Sequence, residues 1–185
     1  MNNLFKNAVN FYENKEFDKA QKVCEDILDI QPDDLNATNL LAVLNFKNKD
    51  FIKSIKLFKK AIEINPNISE TYNNLGNVYY EFKQFSIAIE NYNKALKIKP
   101  NFALSYYNRA KALQEVSKKQ DAISDYNKAI SLNKNFSKAY KNLGNLYMEL
   151  KILDKSIYNH EQALKINPNI SYLNGSIIQS KCGLS

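Results

Sequence analysis

Apolar side chains recur along this chain at steps of three and four residues, with polar and charged residues between them. One stretch shows the pattern clearly, with apolar residues at Ile87, Ala88, Tyr92, Ala95 and Leu96. This spacing places them on one face of a helix. It predicts helices at about 69–82 and 85–98, joined by a tight turn at Lys83 and Gln84. The same spacing continues through the rest of the chain, so the sequence predicts an all-α protein.

The apolar pattern repeats every 34 residues, and small residues and prolines keep the same register. Two positions of the repeat hold small residues, namely Ala8, Ala42, Gly76, Ala110 and Gly144, and Ala20, Ser54, Ala88, Ala122 and Ser156. A third position holds Pro32, Pro66, Pro100 and Pro168. Because proline cannot continue a helix, each of them ends a unit. Lys134 replaces proline once, but its neighbours Asn133 and Asn135 still predict a turn.

The repeat predicts five helix pairs in one domain spanning residues 1–185. The units are 1–34, 35–68, 69–102, 103–136 and 137–170, and residues 171–182 are interpreted as a C-terminal capping helix. A single helix pair cannot bury its own apolar face, so neighbouring units must stack.

These units resemble tetratricopeptide repeats over essentially the whole chain. The most faithful unit is 69–102, which matches the family pattern at Tyr72, Leu75, Gly76, Tyr79, Ala88, Tyr92, Ala95 and Pro100. The resemblance implies a right-handed α-solenoid of five helix pairs plus a capping helix, with a concave groove that binds peptides. One departure is Arg109, which stands where other units have leucine.

Asparagine occupies one predicted groove position in three successive units, at Asn74, Asn108 and Asn142. The row resembles the asparagine ladder of O-linked N-acetylglucosamine transferase repeats. An amide side chain both donates and accepts hydrogen bonds, so the resemblance predicts binding to the backbone of an extended peptide with little sequence preference. The competing interpretation is a purely structural one, because asparagine is abundant throughout this chain.

Further groove candidates surround the ladder, namely Asn73, Asn77, Tyr107, Lys111, Lys138, Lys141 and Asn145. The dicarboxylate clamp of chaperone-binding relatives matches at Asn77, Asn108 and Lys138. Asn73 and Asn142 stand where that clamp has cations, so a full clamp is absent. The lysines favour an acidic partner or a C-terminal carboxylate. Alternatively, they form an ordinary solvated helix face.

Composition narrows the function further. The 26 basic and 19 acidic residues give a formal charge of +7, yet Arg109 is the only arginine and the lysines are dispersed, which disfavours nucleic acid. A single histidine, His160, and two distant cysteines, Cys24 and Cys182, predict no metal site and no cofactor. There is no catalytic motif, signal peptide or membrane segment, so we expect a cytoplasmic non-enzyme.

The sequence therefore predicts a non-catalytic scaffold that binds a protein or peptide partner. One alternative is the substrate-recognition arm of a larger O-linked N-acetylglucosamine transferase-like glycosyltransferase, which the ladder and the segment Tyr172–Ile178 resemble. An RNA-binding solenoid is a further alternative, and the scarcity of arginine disfavours it.

Overall fold

The computed structural model describes residues 2–170, and over that range the secondary structure is entirely helical. The helices are α1 Asn2–Glu13, α2 Phe17–Ile30, α3 Leu35–Lys47, α4 Phe51–Ile64, α5 Ser69–Glu81, α6 Phe85–Ile98, α7 Ala103–Glu115, α8 Lys119–Leu132, α9 Ser137–Glu149 and α10 Leu153–Ile166. The prediction of an all-α chain built from helix pairs is confirmed. The predicted capping helix at 171–182 lies outside the described residues.

The chain divides into two compact units, Met1–Lys99 with α1 to α6 and Pro100–Ser185 with α7 to α10. Within each unit, a helix packs on the helix that follows it in sequence. The predicted small residues are the reason that the helices can approach closely. Ala20, Ser54, Ala88, Ala122 and Ser156 are all completely buried.

The turn inside each helix pair holds one residue in the left-handed conformation. These residues are Lys15, Lys49, Lys83, Ser117 and Lys151, with φ between 58° and 63°. In the third pair, the amide of Gln84 donates to the carbonyl of Tyr79 at 2.8 Å and that of Lys83 donates to Tyr80 at 3.0 Å. These two bonds close the end of α5 in the way that usually selects glycine. The predicted turn at Lys83 is therefore confirmed, with an unfavourable residue in it.

The turns between pairs depend on asparagine as well as proline. The side-chain oxygen of Asn65 accepts from the amide of Asn67 at 2.9 Å, and Asn133 accepts from Asn135 at 3.0 Å. The second of these turns contains Lys134 in place of proline. An asparagine side chain that binds the backbone two residues onward stabilises a turn by itself. The turn predicted at Lys134 is confirmed.

Arg109 is accommodated by an acidic partner on the other helix of its pair. Its guanidinium donates two hydrogen bonds to Asp125, from Nε at 2.6 Å and from Nη2 at 2.7 Å. The Arg109 side chain is 22% exposed and that of Asp125 is 8% exposed. Hydrogen bonding to Asp125 raises the pKa of Arg109. The departure from leucine is thus compensated within α7 and α8.

Candidate functional site

Two of the predicted groove residues, Asn74 and Asn77, line a cleft in the unit Met1–Lys99. The cleft has a volume of about 240 Å³, and its lining residues are Tyr12, Val43, Phe46, Lys47, Phe58, Asn74 and Asn77. We call it the amide cleft. Its floor is aliphatic and aromatic, and its polar groups are two amides, one ammonium and the hydroxyl of Tyr12. The cleft therefore combines an apolar surface with hydrogen-bond donors.

Asn77 is held in one orientation by the buried ring of Tyr92. The Tyr92 hydroxyl donates to Oδ1 of Asn77 at 2.9 Å, and the Tyr92 side chain is only 1% exposed. Because Oδ1 is used as the acceptor, the Nδ2 group of Asn77 is the part left to donate to a ligand. The sequence predicted Asn77 as a groove residue but gave no sign of this hydrogen bond.

Lys47 is the cation of the amide cleft. Its ammonium lies 4.7 Å from the ring centroid of Phe17 and 5.4 Å from that of Tyr12. These contacts hold the ammonium by cation–π attraction. Within residues 2–170, no carboxylate lies within ion-pair distance of it. The cleft therefore presents a positive charge without an acidic partner.

Asn73 is not a surface residue. It is 2% exposed, and its Nδ2 lies 3.5 Å from Oδ1 of the adjacent Asn74. The sequence placed it in the groove because it is one residue from the ladder position. Its buried amide contributes to the packing of α5.

In the unit Pro100–Ser185, the two ladder residues have different surroundings. Asn108 is 9% exposed, whereas Asn142 is half-buried and donates from Nδ2 to the Tyr107 hydroxyl at 3.2 Å. The Tyr107 ring packs on Phe136, with 4.9 Å between centroids. Burial raises the pKa of Tyr107, and the hydrogen bond from Asn142 opposes that shift. Asn142 is thus fixed by a neighbour before any ligand arrives.

Asn145 pairs with the single histidine of the chain. Its Oδ1 lies 2.9 Å from Nε2 of His160, which is completely buried and packs over Gly144. The pairing assigns the proton of the neutral ring to Nε2. Burial lowers the pKa of His160, and the backbone of Lys141 offsets part of the shift. Asn145 therefore has a structural partner, and His160 is a core residue.

We expect acid to destabilise the protein through His160. Because its pKa is lowered in the folded state, the unfolded chain binds more protons just below the ordinary value of about 6.5. The free energy of unfolding is therefore fully retained above that pH. Below it, acidification lowers the free energy of unfolding by at most about 1.4 kcal/mol per pH unit. Urea unfolding between about pH 7.5 and 5.5 measures this dependence.

The control is His160→Tyr, which copies the Gly76, Asn77 and Tyr92 arrangement of the third pair. We expect this variant to fold and to lose most of the pH dependence above about 5.5, where carboxylates titrate little. An unchanged slope in the variant contradicts the assignment.

The three predicted lysines differ in exposure. Lys138 is exposed, whereas Lys111 and Lys141 are half-buried. The residues that sequence reasoning missed are Tyr12, Phe46 and Lys47 in the amide cleft. A signal for two of them was present, since Tyr12, Phe46 and Tyr80 form an aromatic row at one repeat position that ends after the third unit.

Neither a metal centre nor a membrane span is found among residues 2–170. No group of three or more metal-ligating side chains comes together there, and none of the described helices has the length and apolarity needed to cross a bilayer. The thiol of Cys24 is free and buried, and burial raises its pKa to about 12. A thiol of that kind is unreactive at neutral pH.

Comparisons with known proteins agree with this architecture. Models of the tetratricopeptide repeat match residues 33–101, 91–124 and 137–170. No curated protein sequence matches the chain. Among solved structures, MamA is similar over 89% of this chain and 96% of its own, with a TM-score of 0.78 and 20% identity. TTC0263, a thermophilic protein of Thermus thermophilus, is similar over 98% of both chains, with a TM-score of 0.77 and 19% identity.

A third similar structure is YrrB, described as a tetratricopeptide repeat protein with an unusual peptide-binding site. The match covers 89% of this chain and 85% of YrrB, with a TM-score of 0.70 and 16% identity. At these identities the similarity shows the fold alone.

Proposed function

Because this chain belongs to the tetratricopeptide repeat family, whose members are in general non-catalytic scaffolds for protein interactions, we propose that it binds an extended peptide segment of a partner protein. The observation that carries the proposal is the amide cleft, in which Asn74 and Asn77 stand beside an apolar floor. Amides bind the peptide backbone, and the floor accommodates one side chain. The chain itself is proposed to catalyse no reaction.

The electrostatics of the cleft support a partner rich in hydrogen-bond acceptors. Lys47 is a cation without a carboxylate partner among the described residues, and the fixed Asn77 amide leaves Nδ2 as a donor. Such groups suit backbone carbonyls and an acidic side chain or C-terminal carboxylate. In the unit Pro100–Ser185, Asn108 and Asn142, with exposed Lys138 nearby in sequence, are proposed to do the same. We propose a cytoplasmic location, with which the free Cys24 thiol is consistent.

We expect replacement of the ladder to weaken peptide binding. Peptides selected by phage display on the wild-type protein serve as probes, and affinity is measured by fluorescence anisotropy. Changing Asn74 in one unit, together with Asn108 and Asn142 in the other, to alanine removes the amides proposed to bind peptide backbone within each unit, at about 1 kcal/mol per amide. The affinity of selected peptides is therefore expected to fall more than about tenfold, and by similar factors for peptides of unlike sequence.

The matched control changes three exposed asparagines, Asn10, Asn101 and Asn127, to alanine. The control variant should bind the selected peptides with the same affinity as the wild-type protein. Since Asn108 is buried, the single variant Asn74→Ala keeps the test valid if the triple variant unfolds. Retained affinity in folded ladder variants, or equal losses in the control, contradicts the proposal.

A further inference from the structure

A second cleft lies on the opposite side of α3 from the amide cleft. The amide cleft uses Val43, Phe46 and Lys47 of α3, whereas the second cleft uses Leu41 and Asn45 of the same helix. At 3.6 residues per turn, these positions point in opposite directions. The second cleft has a volume of about 410 Å³. It is formed by α2, α3 and α4, all within the unit Met1–Lys99.

Three lysines of α4 border this cleft, which we call the lysine cleft. Lys53, Lys56 and Lys60 are spaced three and four residues apart and therefore share one face of the helix. Leu41 and Leu57 form the apolar part of the lining. The two leucines form an apolar floor, and the three lysines form a row of positive charges along two turns of α4. This arrangement fits a ligand helix that has an apolar face flanked by carboxylates.

The lysines are only partly neutralised. Lys53 pairs with Asp50 at 3.2 Å, and Lys60 lies 3.7 Å from Asp33, but neither aspartate lines the cleft. Lys56 makes no ion pair with any described residue. The one acidic side chain in the lining is Glu25, which accepts a hydrogen bond from Gln21 at 2.8 Å. The lining therefore has a net positive charge.

The next repeat contains an equivalent cleft with a different charge, so the basic character is specific to α4. Thirty-four residues further on, Ile87, Glu90 and Lys94 stand where the lysine cleft has its three lysines, and Asn91 replaces Leu57. That lining balances two lysines against two glutamates. Of these two clefts, only the lysine cleft combines two leucines with a row of three lysines.

We propose that the lysine cleft docks an acidic amphipathic helix of a partner protein, with leucine-type side chains on Leu41 and Leu57 and carboxylates facing Lys53, Lys56 and Lys60. A nucleic acid fits the cleft less well, because the lining has no aromatic side chain for base stacking and no arginine. A small anion would leave the leucine floor unused. The proposal concerns a different face from the amide cleft and is independent of peptide binding there.

The test uses a fluorescein-labelled synthetic helix of about 18 residues that carries leucine on one face and glutamate on both flanks. Anisotropy is measured with the full chain at about 50 and 300 mM salt. We expect binding that weakens as salt rises. Lys56→Glu and Leu57→Asn introduce the residues that the equivalent cleft of the next repeat has at these positions, and each should lower the affinity at least about tenfold. Circular dichroism and urea unfolding confirm that both variants are folded.

Lys94→Glu is the matched control, because it makes the same charge change in the neighbouring cleft. Its affinity should stay within about twofold of wild type. Four results overturn the proposal: no binding by wild type, equal binding of a scrambled peptide, equal losses in Lys94→Glu and Lys56→Glu, or tighter binding of a poly(U) oligonucleotide than of the helix. The last result assigns the cleft to RNA.

Discussion

Arg109→Leu is expected to lower the free energy of unfolding by roughly 3 kcal/mol, although leucine is the residue found at this position in neighbouring repeats. The loss comes from Asp125, whose side chain is 8% exposed and accepts two hydrogen bonds from the guanidinium. Without Arg109, the Asp125 carboxylate is buried without a counter-charge. Urea unfolding measures the change.

The double variant Arg109→Leu with Asp125→Asn is expected to recover most of that stability. It copies the third repeat, in which Leu75 is accompanied by Asn91, whose Nδ2 donates to the carbonyl of Ile87 at 2.8 Å. The fifth repeat has the same arrangement at Leu143 and Asn159. Replacing a buried ion pair with well-packed neutral groups is often neutral. A double variant as unstable as the single one would show that Asp125 is not the cause.

Gly76→Ala is expected to lower the free energy of unfolding by about 2 kcal/mol, even though alanine favours helix formation over glycine by about 1 kcal/mol. A Cβ at Gly76 would lie 2.6 Å from Cε1 of Tyr92. The ring cannot move aside easily, because it is buried and its hydroxyl is bound to Asn77. Thermal unfolding in parallel with wild type measures the difference.

The second repeat provides the control for this prediction. There, the buried Phe58 occupies the position of Tyr92 and the small residue is Ala42. Without a hydroxyl to anchor, the ring can tilt away from a methyl group. We therefore expect Gly76→Ala to cost much less in a Tyr92→Phe background, and a double-mutant cycle isolates the coupling. Additive costs would mean that the hydroxyl does not hold the ring.

The 34-residue repeat predicted the helix pairs well, because close helix contacts and helix ends each require particular residue types that are visible in the sequence. Small residues mark close helix contacts, and Pro100 and its equivalents mark helix ends. The register also identified Asn74 and Asn77, which line the amide cleft. It could not predict how deep each equivalent side chain lies. Asn108 and Asn74 occupy one repeat position, yet Asn108 is buried, because local packing differs between repeats.

Two pairs of residues depart from the repeat pattern jointly, and each member compensates for the other. Positions taken one at a time do not reveal such pairs. Arg109 and Asp125 each depart from their position in the repeat, and only together do they form a neutral unit. Tyr92 and Asn77 are polar together, whereas Phe58 and Val43 are apolar together at the same two positions. A search for joint departures sixteen or fifteen residues apart would have found both pairs from the sequence.

The left-handed residue in each intra-pair turn affects how the chain must fold. Lys15, Lys49, Lys83, Ser117 and Lys151 all hold a backbone conformation that disfavours a residue with a side chain. Every helical hairpin therefore closes against a local bias, and its two helices are too short to persist alone in water. Such hairpins are therefore not expected to be stable on their own. Their closure depends on a neighbour to pack against, so order should spread cooperatively within a unit rather than arise separately in each pair.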